Sequence, residues 1–301
     1  MNGALIPAVC VQARTGASAG RSGVTNERWR GRAMPHPAGS TPVHDRGTVQ
    51  GVTVPVPPGL SLETDVSPGQ WVVDGLDEWT VDERTDRYRI GLVLPEGFQA
   101  YARILHRVEE GEWESGPNRI VRWDTIAEAL GVTLQPDTRL RELSQAYMDA
   151  FGHRDVYGHE SISDPDEGSL HPEELANLVE LLAPFTSTPD EVWYCLWAGF
   201  GDWGGHTRKD RRVPWVGVPG REYFLYRGPL GRACGFQEMS ETRPEHGHSP
   251  NIFWPDDRAW CVASEIDLDS THVGGSRACI DALLDHPVLE AIEVLRSDPL
   301  W

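Results

Sequence analysis

Glu265, Asp267 and Asp269 stand at i, i+2, i+4, with His272 three residues further on. On a strand, that spacing puts all three acids on one face. Acids so placed can converge on Mg²⁺ or Ca²⁺, which prefer oxygen ligands. They can also repel one another until one of them holds a proton near neutrality. A plainer arrangement uses the same residues, with Glu265 facing solvent while Asp267 and Asp269 organise a turn. The next segment, Ser270-Thr-His-Val-Gly-Gly-Ser276, ends in a Gly-Gly pair before a helix start. It lacks the Gly-Lys-Ser/Thr of a phosphate loop, so Ser276 reads as an N-cap.

Other groups carry less. His246-Gly-His248 with Glu245 needs a third ligand to hold a metal. His153 and His159-Glu160 read as polar loop sequence, and no metal ligand set is assigned. Trp203, Trp215 and Trp254 fall in stretches read as loops and would suit a surface that stacks on a sugar or planar ligand. Trp193 and Trp197 read as core. No HExxH helix appears in the sequence. No cofactor is implied.

The elements that must position these residues follow from periodicity. Ala259 to Leu268 reads as the last strand, with Trp260, Val262, Ile266 and Leu268 on one face and Cys261, Ala263 and the three acids on the other. Ser276 to Leu284 reads as a helix, and residues 287–295 as a short helical piece. Helices are also expected over 123–130, stopped by Gly131, over 139–150, and over 171–183 behind Pro172. Strands are expected at 71–74, 88–94, 192–197 and 222–227. Residues 98–106 fit a strand or a short helix. Residues 201–220 and 231–252 read as long loops. Strands and helices mix without βαβ alternation, which predicts an α+β fold, a mixed or antiparallel sheet with packed helices. Residues 1–65, rich in Gly, Pro and Arg and without periodicity, read as a disordered tail before a single domain at 66–301. Met34 within that tail is a possible alternative start.

Charge narrows the partners. Residues 1–60 carry six Arg against Glu27 and Asp45, a balance of +4, so the remaining 241 residues carry −23 of the net −19. A body that acidic repels phosphate backbones, which argues against nucleic acid and favours a basic protein partner. No stretch approaches the ~20 apolar residues that span a bilayer. Five Cys without a CxxC pair and without a secretory signal fit a reducing cytoplasm. Cys195, Cys261 and Cys279, inside apolar runs, read as buried thiols.

The segments 100–106, 193–201, 223–230 and 253–276 together resemble a family of actinobacterial proteins with no established activity. The resemblance spans about residues 70–301 and implies a cytoplasmic protein of that origin. It carries over no catalytic residue. Three functional expectations stand: a non-enzymatic protein-binding module with a basic partner, a metal-dependent hydrolase centred on the carboxylates, and a small-ligand or carbohydrate binder using the loop Trp residues.

Overall fold

The computed structural model describes residues 46–49, 52–78, 88–110, 119–151, 165–200, 213–239 and 247–300. In chain order, β1 (Arg46–Val49) and β2 (Val52–Pro55) form a hairpin, and β3 (Ser61–Leu62) follows. Next come α1 (Gln70–Gly75), β4 (Ala100–Leu105), β5 (Val108–Glu110), β6 (Arg119–Val121), α2 (Trp123–Leu130), α3 (Leu140–Phe151) and α4 (Pro172–Leu182). The remainder is β7 (Val192–Trp197), β8 (Val216–Val218), β9 (Arg221–Gly228), β10 (Ile252–Pro255), β11 (Cys261–Ser264), β12 (Ser270–Gly275), α5 (Arg277–Leu284) and β13 (Ala291–Val294).

Nine strands form one antiparallel sheet in the order β13-β4-β12-β11-β10-β7-β9-β3, with β8 paired to β9. The expected α+β class therefore holds, in its antiparallel form. On one face, Leu175, Leu178 and Leu182 of α4 and Ile280 and Leu283 of α5 pack on Ala102, Ile104, Tyr194, Phe224, Phe253 and Val262. A 3-10 helix at Leu230–Met239 completes that layer. On the other face Val72, Ile90 and Leu94 cover Cys195, Leu225, Ile252, Trp254 and Ala263. Helices α2 and α3 enclose a third cluster around Trp123, with Leu105, Val108 and Val121.

Local chemistry explains the helix ends. Gly131 closes α2 at φ +68°, a conformation that costs a glycine little. At its start, the buried Glu290 carboxylate accepts from Trp123 N (2.9 Å) and Asp124 N (2.7 Å), so a side chain 166 residues away satisfies the helix's first amides. The Ser276 hydroxyl caps α5 by accepting from Cys279 N, as its position suggests.

Several expectations are corrected. Residues 71–74 lie in α1 rather than a strand, and 88–94 holds a 3-10 turn at Ile90–Leu92 with one isolated bridge, Arg89 to Pro299. The undecided stretch 98–106 contains β4. Residues expected as a helix near 287–295 include edge strand β13. The stretch read as a loop over 231–252 opens with the 3-10 helix. Packing also begins before residue 66, since Val54 and Val56 lie in the core and β3 pairs with β9. Residues 1–45 fall outside the described residues.

Candidate functional site

The strand expected over 259–268 is shorter than its pattern suggests. β11 stops at Ser264, residues 265–269 turn, and the chain returns as β12, buried along its whole length. The three acids therefore sit in a turn and not along one strand face. The Ser270–Gly275 segment, singled out only for the Gly-Gly pair before α5, is a central strand.

Each acid is held by an arginine that the sequence did not single out. Arg221 Nε donates to Glu265 Oε1 at 2.7 Å, and Arg221 Nη2 donates to Asp267 Oδ2 at 2.7 Å. Glu265 Oε2 accepts from Asp267 N at 2.7 Å, so Glu265 both orders the turn and anchors the guanidinium. The Glu265 side chain is 13% exposed and that of Asp267 72%. Asp269 goes elsewhere: its Oδ1 accepts from Arg103 Nη2 at 3.1 Å. Arg103, almost fully buried in β4, also donates from Nη1 to the carbonyls of Pro136 (2.9 Å) and Thr138 (2.8 Å). The carboxylates are thus split between two arginines. Among the described residues, no group of three or more His, Cys, Asp or Glu side chains is placed to hold a metal.

His272 lies opposite Arg103 in the sheet register and is fully buried, with no hydrogen-bond partner for either ring nitrogen. Burial, with Arg103 and His106 nearby, pushes its pKa down to about 3, so the ring is neutral. It does not join the carboxylates. Trp254, expected on a loop, is a core residue of β10 with Trp71 edge-on at 5.8 Å. Trp215 is half-buried just before β8, and Trp203 lies outside the described residues. Of the expected His cluster, His248 stacks on Phe200 at 3.5 Å, whereas Glu245, His246, His153 and His159-Glu160 lie outside the described residues.

The helix-bearing side holds a buried relay that no sequence pattern announced. His106 Nδ1 faces the Asp166 carbonyl at 2.6 Å, which can only accept, so Nδ1 carries the proton. Nε2 must then accept from Thr271 Oγ1 (2.8 Å), and the Ser264 hydroxyl donates on to Thr271 Oγ1 (2.6 Å). Burial lowers the His106 pKa to about 4. The chain of bonds fastens residues 165–170 to β12 and uses every polar atom it contains.

The concave feature lies on the opposite face, beside Arg221. Leu76, Leu92, Val93, Val218, Pro219, Tyr223, Ile252 and Ala263 wall a cleft that Arg221, Asn251, Ser264 and Glu265 complete. It contains about 390 Å³ of empty space, counting its open mouth. The Pro219-Gly220 turn between β8 and β9, with Gly220 at φ +78°, delivers Arg221 to this edge. Asn251 fixes the back, accepting from Trp197 N at 2.8 Å and donating from Nδ2 to the Ser264 carbonyl at 3.3 Å. Burial, and then Glu265, hold the Tyr223 phenol well above its usual range, so it stays protonated. The Arg221 guanidinium lies 5.9 Å from the Trp197 ring centroid. Glu265 is the expected site residue that lines the cleft; Arg221 and Tyr223 were missed. Arg221 lies 44 residues before Glu265, and nothing in a single sequence links a lone arginine to a distant turn.

No protein-family model, curated protein or solved structure matches this chain.

Proposed function

We propose that this protein is a non-enzymatic binding module whose ligand site is the Arg221 cleft. The observation that carries the reading is the cleft's make-up, an aliphatic wall completed by a few polar groups, which is how small-ligand sites are built. Arg221 and Glu265 are bound to each other there, and Asn251 to backbone atoms. Among the described residues lining it, none forms a nucleophile–base pair. A test is an NMR titration of the full chain with isoamyl alcohol. Methyl shifts should concentrate on Val218, Ile252 and Ala263 and disappear in Val218→Trp, which fills the cleft. Shifts centred elsewhere would sink the proposal.

A second reading, the basic protein partner, is favoured by β13. It is the last strand in the sheet order and pairs with β4 alone. The exposed Val288 and Leu295 flank it. An exposed strand edge accepts another chain, and a net charge of −19 favours a basic one. Cross-linking to an Arg-rich peptide should map to β13 and weaken in Leu295→Glu. Cross-links that leave β13 unmarked would count against this reading.

A further inference from the structure

We infer that the cleft, if it is the ligand site proposed above, selects small branched aliphatic carboxylates, with Asp267 standing in for the ligand's carboxylate until one arrives. The side chains that wall the cleft are aliphatic apart from Tyr223. They favour an alkyl chain over a sugar or a polar ring. The cleft's cation is Arg221, and its planar fork is built to grip a carboxylate from two nitrogens.

The two carboxylates on Arg221 play different parts. Glu265 is mostly buried, lines the cleft, and takes Nε while bonding the turn's backbone. It aims the guanidinium, with its Oε1 also 2.7 Å from Nη2. Asp267 is largely exposed, does not line the cleft, and takes one further bond from Nη2. Nη1 has a bond of 3.3 Å to the carbonyl of its neighbour, Gly220. A ligand carboxylate can therefore take the Nη1–Nη2 edge by displacing one exposed aspartate, while Glu265 keeps the guanidinium in place. An exposed pair of this kind contributes little to stability, so the exchange is cheap. The resulting ligand has its charged end at the mouth and its branched end against Leu92, Val93 and Ile252.

The test is calorimetric titration of the full chain with three probes of one shape: isovalerate, the neutral isovaleramide and the cationic isoamylamine. Isovalerate is expected to bind about tenfold or more tighter than the amide, because it gains charge-assisted hydrogen bonds. Asp267→Ala, which removes the competitor at a solvent-exposed position, should tighten isovalerate about two- to fivefold and leave the amide unchanged. Arg221→Gln should abolish the preference. Equal binding of isovalerate and amide would overturn the carboxylate inference yet leave the cleft as a ligand site. Preference for the amine would overturn it in favour of recognition by Glu265. Binding of none of the three probes would overturn both readings.

Discussion

One five-residue turn serves two arginines, and the two sites differ in nearly every physical respect. At Arg221, the guanidinium and Glu265 line an open cleft, and the arginine side chain is 26% exposed. At Arg103, the guanidinium side chain is 2% exposed and is bonded to Asp269 and to two carbonyls of the α2–α3 connection. Water reaches the first guanidinium, whereas at the second it reaches only the acid, Asp269, whose side chain is 24% exposed. The same chemical pair is therefore an exchangeable contact in one place and a structural fastening in the other.

The comparison breaks first at Arg103. Arg103→Met strands the Asp269 carboxylate and two carbonyls, and should cost about 3–5 kcal/mol in urea unfolding. A loss below about 1 kcal/mol would remove the distinction between the two sites. Next comes pH. Folding depresses the His106 and His272 pKa values to about 4 and about 3, so the stability they contribute is present above about pH 6.5 and is lost as pH falls through those values. Burial, opposed by Arg107, raises Glu174 to about 7, and Glu290 is raised by its burial too. The stability from these two is present below about pH 4.5 and fades as pH rises towards 7. Stability should therefore be flattest between about pH 4.5 and 6.5 and should fall on both sides, by a few kcal/mol towards pH 3. Urea midpoints at three pH values check the sign. At the exposed site, Asp267→Ala should cost under about 1 kcal/mol. Smallest of all, His272→Leu removes two unsatisfied ring nitrogens and should be near neutral or stabilising. A loss of several kcal/mol there would mean that those nitrogens have partners in solution.

Legibility in the sequence followed the range of the interactions. Helices α2, α4 and α5 were readable because their apolar period, Gly131, Pro172 and Ser276 are local signals. Strands β7 and β9 were readable as runs of aromatic and branched residues. The Trp-Val-Val run of α1 misleads because its residues favour strands, and tertiary packing of Val72 decides otherwise. β12 misleads in the opposite sense. Ser270, Thr271 and His272 are polar, yet pairing with β4 and β11 satisfies their backbone, and the His106 relay satisfies Thr271. Glu265 was identifiable from acid spacing, whereas Arg221 and Arg103 meet their acids only through the fold.

Both neighbours of β4 in the sheet come from the far end of the chain, since β12 and β13 begin at residues 270 and 291. At about 5–20 residues per second, a ribosome needs roughly eight to forty seconds to reach them after completing β4. During that interval the apolar strand Ala-Tyr-Ala-Arg-Ile-Leu has emerged without either partner. The order of synthesis thus makes β4, one of the first-built strands of the sheet, depend on the last-built ones. Arg103, a charge in the middle of that waiting strand, is placed where it discourages pairing with other nascent chains.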